Sequence, residues 1–341
     1  MRKLRVLALV HKELLPPDNL PEGVDPATQP WRTEYDVVTT LRGAGHEVKT
    51  LGIGSDLGLV RVAIEEFKPH VAFNLLEEFH GEAIYDQNVV SYLELQRVPY
   101  TGCNPRGIML ARDKAISKKV LTYHRIRVPD FVVFPMKQRI ARPRRLEFPL
   151  MVKSLVEESS FGIAQASLVR GDEALRERVL FVHEKIGTDA IVEQYIEGRE
   201  LYVSLLGDRR LTVLPVWELL FTRMPEETAR IATAKVKWDF KYQEKHGIRS
   251  ERAQNLPPAL EERIRQVGKR VYRSLMLSGY ARIDLRLTDD EKIYVLEANP
   301  NPQLAYGEDF AESAHAAGIS YAELLVRIIR MALRRRNVAA T

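Results

Sequence analysis

The fold of the C-terminal half is decided by Ala281–Asn299, which reads ARIDLRL-TDDEK-IYVLEAN. Apolar and charged residues alternate in the first seven positions, a pattern typical of a strand with one solvated face. The polar centre favours a turn, so the two apolar runs are predicted to form an antiparallel hairpin. We expect the turn to be centred between Asp290 and Glu291.

Two pairs of polar residues are predicted to face each other across this hairpin. Asp284 falls opposite Glu297, and Arg282 falls opposite Asn299, with directly opposed Cβ atoms about 5 Å apart. Neighbouring carboxylates repel each other unless a proton or a cation neutralises them. Hard oxygen ligands of this kind suit Mg²⁺, which is often bound together with nucleotide phosphates. The alternative is an exposed hairpin in which Arg282 and Arg286 form salt bridges with the acids.

Two lysines and a short loop are candidates for binding phosphate. Lys153 lies in the apolar strand Phe148–Ser154, where a buried ammonium is costly unless an anion pairs with it. Lys114 lies at the start of a predicted helix. After Lys153 comes a loop whose hydroxyls, backbone N–H groups and glycine could cradle phosphate; its residues are Ser159, Ser160, Phe161 and Gly162. It is not a Walker A loop. The alternatives are that Lys153 is the end of a strand that reaches solvent and that Ser159–Gly162 is an ordinary turn.

The composition limits the class of protein. The 341 residues are 45% hydrophobic, carry a formal net charge of +5 and include one cysteine, Cys103. A single cysteine excludes intramolecular disulfides and a cysteine-based zinc site, and fits the reducing cytoplasm. No apolar run approaches the ~20 residues that span a bilayer. Basic residues cluster locally, and we interpret these clusters as solvated surface rather than as a nucleic-acid site: Lys137, Arg139, Arg142, Arg144, Arg145 and Arg334–Arg336.

Three regions are predicted along the chain: residues 1–105, 106–188 and 189–341. In the first region strand-like and helix-like segments alternate, which predicts a parallel sheet covered by helices. Ligands bind beyond the carboxyl ends of the strands in such sheets. Those ends carry the proline-rich loop from His11 to Arg32 and the segment Leu76–Glu82.

Five motifs follow one another along the chain: Asp113-Lys114, Val152-Lys153 with Ser159–Gly162, Glu193–Glu200, Arg282-Ile-Asp284 and Glu297-Ala-Asn299. In their type and order they resemble the ATP-grasp superfamily, and within it the D-alanine–D-alanine ligase branch. His80-Gly81 and Val98–Gly102 look like the N-terminal domain of that branch. The resemblance implies an ATP-grasp fold of mixed α/β and α+β class. Residues 1–105 would be a parallel α/β (pre-ATP-grasp) substrate domain, 106–188 a central ATP-grasp subdomain, and 189–341 a C-terminal ATP-grasp subdomain with a metal site.

The resemblance also implies a role for each motif. ATP would be held, from its phosphates to its base, by Lys114 and Lys153, the loop Ser159–Gly162, Glu200 at the ribose, and Glu193 with the backbone near Ile196 at adenine. A strand followed by a charged turn explains Glu193–Glu200 equally well. Two Mg²⁺ ions, with Mn²⁺ as an alternative, would bind to Asp284, Glu297 and Asn299. Lys237 would reach the γ-phosphate, with Lys235 and Lys241 as alternatives.

The implied reaction joins a carboxylate to an amine. The γ-phosphoryl group would pass to a substrate carboxylate, an amine would attack the acyl phosphate, and phosphate would leave. Arg282 would lie beside the reacting carboxylate and stabilise the oxyanion. Alternatives are an ATP-dependent phosphotransferase on the same scaffold and a nucleotide-binding protein without catalysis.

Two segments depart from the ligase pattern, and they concern the substrate. The ligases have a Gly-rich loop after the first strand, where this chain has His11–Pro17, and a Thr/Ser-x-Pro-Gly-Met segment where this chain has Pro300–Leu304. We therefore expect small carboxylate and amine substrates, amino acids or peptides, other than two D-alanines. Candidates for binding the amine, which a solvated acidic loop would explain as well, are Glu77, Glu78, His80 and Glu82. No membrane partner and no nucleic acid is expected, and a homodimer is left open.

Overall fold

The computed structural model describes residues 3–157 and 160–339, with side chains described up to residue 335. The N-terminal region consists of β1 (Arg5–His11), α1 (Arg32–Gly43), β2 (Glu47–Ile53), α2 (Gly58–Phe67), β3 (Val71–Asn74), α3 (Asp86–Leu95), α4 (Pro105–Arg112) and α5 (Lys114–Tyr123). Its three strands form a parallel sheet in the order β2-β1-β3. The expected parallel α/β arrangement is therefore confirmed.

Short polar residues cap the N-termini of α4 and α5. The Asn104 side chain caps α4 by accepting from the backbone N–H of Gly107, and Pro105 occupies the first helical position, where it costs no hydrogen bond. The Asp113 side chain caps α5 through the N–H groups of Ala115 and Ile116. Capping by Asp113 begins α5 at Lys114, which fixes the start of this lysine-bearing helix.

The central region is an antiparallel sheet with one main helix. Its elements are β4 (Phe131–Phe134), β5 (Leu150–Ser154), β6 (Leu168–Val169), α6 (Asp172–Phe181) and β7 (Ala190–Gln194). The strand order is β4-β7-β5-β6. Because β7 pairs with both β4 and β5, this sheet crosses the boundary predicted at residue 188 and continues to Gln194. The division into three domains itself stays a prediction.

The C-terminal region is built on a second antiparallel sheet. Its elements are β8 (Arg199–Gly207), β9 (Leu211–Val213), β10 (Trp217–Phe221), α7 (Ala234–Trp238), α8 (Phe240–His246), β11 (Ile248–Arg252), α9 (Pro258–Ser274), β12 (Tyr280–Leu287), β13 (Ile293–Pro300), α10 (Asp309–Ala316) and α11 (Tyr321–Ala339). The order is β11-β10-β8-β12-β13, with β9 paired to β8. Gly268 lets α9 lie close to β8, because a Cβ there would meet Val203 at 2.8 Å.

The hydrophobic cores join the N-terminal and C-terminal regions. Leu7 of β1 belongs to the same buried cluster as Val203 of β8 and Ile264 of α9. Phe73 of β3 is buried with Ile329 of α11 in a second cluster. Helix α11 therefore returns to cover the N-terminal sheet. Among the described residues, no helix combines the length and apolar character needed to cross a bilayer.

Candidate active site

The β12–β13 hairpin brings the predicted acidic pair together. Asp284 is paired with Glu297 and Arg282 with Asn299, so the predicted opposition is confirmed. The turn differs from the prediction by one residue, because Leu285 pairs with Val295 and a bulge lies between this pair and the acids. The bulge restores the register in which the two carboxylates share one face of the sheet.

Arg282 contacts Asp284 on the same strand. Its Nε and Nη2 atoms donate to the two carboxylate oxygens at 2.8 and 2.9 Å. The guanidinium lies over the Tyr202 ring, 4.6 Å from its centroid, and Nη1 lies 3.6 Å from Asp309. Burial raises the pKa of Asp284, while the charge of Arg282 opposes this shift. The guanidinium is thus held in place at the side of the acidic pair.

Four cationic side chains surround Glu297. Burial alone would raise the pKa of this carboxyl, but the charges of Lys114, Lys153, Lys237 and Arg282 outweigh burial and lower the pKa to about 2. Lys114 is itself buried, with Nζ 2.5 Å from the Glu157 carbonyl oxygen. The carboxylate is therefore charged at neutral pH, in a field that attracts further anions such as phosphate.

A buried cluster of two lysines and one glutamate lies beside this pair. Glu193 is 3.2 Å from Lys153 and 3.2 Å from Lys118. Burial acts to raise the pKa of Glu193, but the two lysines outweigh it and lower the pKa. Lys118 was not predicted from the sequence, although it lies four residues after Lys114 and therefore on the same face of α5.

A cleft runs between the central and C-terminal sheets. Its lining includes most of the residues predicted for ATP, together with apolar side chains: Met151, Lys153, Ser160, Ile163, Glu193, Gln194, Tyr195, Ile196, Glu200, Ile231, Ala232, Lys237, Asp284, Arg286, Leu296 and Glu297. Apolar walls with a few convergent charged groups are typical of a small-molecule site. The Asp284–Glu297 pair lines the same cleft as the proposed adenine segment.

Glu200 has partners of its own in this cleft. Its carboxylate is 2.7 Å from Arg286 Nη2 and accepts from the Tyr202 hydroxyl at 3.0 Å. Arg286 also donates to the carbonyls of Gly198 and Arg230, each at 2.7 Å. Glu200 therefore lies in the cleft but is fixed by Arg286, which the sequence prediction had assigned only to an alternative surface salt bridge.

The predicted phosphate loop is tied to a second loop. Ser160 Oγ donates to the Ala232 carbonyl at 2.7 Å, and the Ala234 N–H donates to Ile163 at 3.2 Å. Gly162 has a φ of +70°, and a Cβ there would overlap the Ile186 side chain. Phe161 is exposed. Ser159 lies outside the described residues.

The three lysine candidates for the γ-phosphate are placed differently. Lys237, on α7, lines the cleft, and its charge acts on both Asp284 and Glu297. Lys235 and Lys241 are exposed and do not line the cleft. The geometry therefore favours Lys237 of the three.

The four candidates for binding the amine are not brought to the cleft. Glu77, His80 and Glu82 are exposed, and Glu78 pairs with His11 at 3.1 Å. None of the four lines the cleft. Instead, the segment after β13 contacts the start of α1, through Gln303 to Thr33 at 3.2 Å and Glu308 to Arg32 at 3.0 Å, and through Tyr306 to Asp36 at 2.9 Å.

The acidic pair fits a divalent ion that is shared with phosphate. Among the described residues no group of three His, Cys, Asp or Glu side chains is placed to hold a metal. Asp284 and Glu297 supply two carboxylates, and Asn299, opposite Arg282 on the same hairpin, supplies an amide oxygen. The Asn299 amide nitrogen is buried without a partner in the described structure and is a donor suited to a phosphate oxygen. A set of two carboxylates and an amide suits Mg²⁺, which completes its shell with water and phosphate oxygens.

Comparison with known proteins identifies the family of this chain. A family model for the C-terminus of D-ala D-ala ligase matches residues 119–330. An uncharacterized protein, y4sG, of Sinorhizobium fredii is 33% identical, over 90% of each chain. D-alanine–D-alanine ligase of Desulforudis audaxviator is 30% identical, over 89% of this chain and 94% of its own.

Solved structures with a similar fold include D-alanine–D-alanine ligases as well. The crystal structure of D-alanine–D-alanine ligase from Bacillus anthracis complexed with ATP matches with a TM-score of 0.76 and 24% identity, over 98% of this chain and 99% of that one. That family uses ATP with a divalent metal and acts on small amino-acid substrates. The chain belongs to the D-alanine–D-alanine ligase family of ATP-grasp carboxylate–amine ligases.

Proposed function

We propose that this ligase joins the carboxylate of one small amino acid to the amine of a second small molecule through an acyl phosphate. The observation that supports this most strongly is the Asp284–Glu297 pair, which lines one cleft with Lys153 and Lys237. Two adjacent carboxylates surrounded by lysines are suited to a metal–triphosphate, because each sign of charge then finds its partner.

ATP would lie along the cleft, with its base against Tyr195 and Ile196 and its phosphates toward Lys153. Lys114 and the loop Ser159–Gly162 would complete the phosphate contacts. Asp284, Glu297 and Asn299 would hold two Mg²⁺ ions, or Mn²⁺, and bound metal would neutralise charge on the transferring phosphoryl group. The Arg286–Glu200 pair would orient Glu200 toward the ribose.

The reaction needs a cation next to the carboxylate that accepts phosphate. Arg282 would take this position, because it is held by Asp284 at the side of the cleft. In the second step its guanidinium would stabilise the oxyanion formed when the amine attacks, an effect of about 3 kcal/mol per donor in comparable sites. Lys237 would hold the γ-phosphate, and the linked loops at Ser160 and Ala232 would keep water from the acyl phosphate.

The substrates are proposed to be small amino acids or peptides other than two D-alanines. The proposal rests on the two departures at His11–Pro17 and Pro300–Leu304, of which the second lies against the start of α1. We place the enzyme in the cytoplasm, which supplies ATP and suits the buried, free Cys103.

The function is tested by a screen of D- and L-amino acids and dipeptides, singly and in pairs, with ATP and Mg²⁺. We expect ADP and phosphate to appear only with a productive pair, together with one new amide detected by mass spectrometry. A stable phosphorylated product would instead identify a phosphotransferase. Efficient formation of D-alanyl-D-alanine would contradict the substrate proposal but not the ligase reaction.

A further inference from the structure

The bulge in β13 decides which side chains face each other at the acidic pair. On the turn side, Leu285 lies opposite Val295; on the other side, Asp284 lies opposite Glu297. Leu296 is therefore the extra residue. A bulged residue interrupts the hydrogen-bond ladder, so its backbone groups need other partners when they are buried.

The carbonyl of Leu296 finds its partner on α5. Lys118 Nζ lies 2.6 Å from the Leu296 oxygen and 3.2 Å from Glu193 Oε1. The Lys118 side chain is 1% exposed, and Lys118 does not line the cleft. It can therefore act on a bound ligand only through the residues it contacts.

The negative charge of Glu193 does not by itself explain why a second lysine, Lys118, is buried beside it. Lys153 already pairs with the other oxygen of the same carboxylate at 3.2 Å. Burying a second ammonium carries a desolvation cost, and burial lowers the pKa of Lys118 despite the charge of Glu193. The contact that only Lys118 makes is the one to the bulged carbonyl.

We infer that Lys118 is a positioning residue, which holds the β13 bulge and thereby keeps Glu297 on the same face as Asp284. The inference rests on the proposed function, in which Glu297 is a metal ligand. Without the ammonium, the Leu296 carbonyl loses its donor and the regular register becomes accessible. In that register Asp284 faces Leu296, and Glu297 points to the opposite side of the sheet.

Lys118→Met tests the inference, because methionine has a similar length but neither charge nor donor. Lys119→Met is the matched control, since Lys119 is the next residue of α5 and is exposed. Mn²⁺ binding in the presence of saturating ADP is measured by electron paramagnetic resonance, and ADP binding without metal is measured by calorimetry in EDTA. We expect Lys118→Met to weaken Mn²⁺ binding by about tenfold or more, the usual cost of removing support from a metal ligand.

The second readout separates positioning from general damage. We expect metal-free ADP binding to change far less than Mn²⁺ binding in Lys118→Met, because Lys153 keeps its pair with Glu193, and both readouts to be unchanged in Lys119→Met. Equal Mn²⁺ affinity in Lys118→Met and the parent, or a parallel loss of metal-free ADP binding, would overturn the inference. If the methionine variant does not fold, Lys118→Gln is judged by the same criteria. A parent enzyme that fails to bind Mn²⁺ with ADP would overturn the proposed function, and the inference with it.

Discussion

Asp284 faces Glu297 because β13 carries a one-residue bulge at Leu296. A regular ladder continued from the turn would place Leu296 opposite Asp284 and turn Glu297 to the other face of the sheet. The carboxylates could then not act on one ligand. The bulge in this hairpin therefore determines whether both carboxylates can contact the same ligand.

Removing either carboxylate is expected to abolish turnover without unfolding the protein. For Asp284→Asn and Glu297→Gln we predict a loss of roughly a thousandfold in kcat, because the metal contribution to phosphoryl transfer is several kcal/mol. Glu291→Gln is the control on the same hairpin, since Glu291 forms only a half-exposed pair with Arg263. Phosphate release and thermal melting are measured together; near-normal activity of either site variant would remove the metal assignment.

The acidic pair could be predicted from the sequence, but the bulge could not. The alternation in Ala281–Leu287 determines which residues share a face, and this survives an error of one residue in the turn because the bulge corrects it. Nothing in Ile293–Asn299 signals the extra residue, since its partner Lys118 is distant in the chain. The strand that carries Lys153 is predicted from its apolar run, whereas β10 and β11, which carry charged residues such as Glu218 and Arg249, are not predicted.

The partners of individual charged side chains could not be predicted from the sequence either. Glu193 and Glu200 were assigned to ATP through the family resemblance, while the fold pairs them with Lys118, Lys153 and Arg286. The hydrogen bond from Lys153 to Glu193 joins residues 40 positions apart, and the one from Arg286 to Glu200 joins residues 86 positions apart. Periodicity reports on neighbours within one element and carries no information on such pairs.

Gly162 is expected to be required for the conformation of the phosphate loop. In Gly162→Ala the new Cβ would overlap Ile186, and the residue would keep a φ of +70°, which is strained for alanine. We predict roughly tenfold weaker ADP binding, corresponding to about 1.4 kcal/mol. The control is Gly171→Ala, where a Cβ meets nothing within 4 Å. Calorimetry that finds equal ADP affinity in both variants would exclude the loop from the nucleotide site.

Glu34 is expected to make the protein less stable as the pH rises. Burial, followed by the charges of Glu77 and Asp36, raises the pKa of this carboxyl from 4.5 to about 7, and its Oε2 atom has no hydrogen-bond partner in the described structure. The folded protein therefore holds a proton that the unfolded chain releases. The contribution of protonated Glu34 to the free energy of unfolding is fully present below pH 4.5 and is lost as the pH rises through about 7. The loss is on the order of 3 kcal/mol.

Glu34→Gln removes this titration. We expect the variant to be more stable than the parent at pH 8.5 and similar at pH 4.5, as measured by urea unfolding. Glu173→Gln on the exposed face of α6 is the control and should leave the pH dependence unchanged. An equal difference in stability between the parent and Glu34→Gln at the two pH values would contradict the raised pKa of Glu34.

Arg335 is expected to stabilise the contact between the N-terminal and C-terminal regions. It donates to the carbonyl of Gly102 at 2.8 Å and to Ser278 Oγ at 3.0 Å, and lies 3.7 Å from Asp208. We predict that Arg335→Ala lowers the free energy of unfolding by about 2 kcal/mol, because several charge-assisted hydrogen bonds are lost.

The neighbouring Arg334 provides the control for this prediction. Arg334 is exposed, so Arg334→Ala should change the free energy of unfolding by less than about 0.5 kcal/mol. Equal effects of the two substitutions in guanidinium unfolding would contradict a specific role for Arg335. Arg335 is thus not the solvated residue that the sequence predicts, whereas Arg334 is exposed, and the side chain of Arg336 lies outside the described residues.

The central claim, transfer of phosphate to a substrate carboxylate before the amine attacks, is tested most directly by isotope transfer. The productive carboxylate substrate is labelled with ¹⁸O in both oxygens and incubated with ATP, Mg²⁺ and the amine, and the released phosphate is analysed by mass spectrometry. The account predicts one ¹⁸O atom in each phosphate released and one retained in the amide. Unlabelled phosphate accompanying a new amide would contradict the acyl phosphate, and label retained in a phosphorylated product would contradict the ligase reaction.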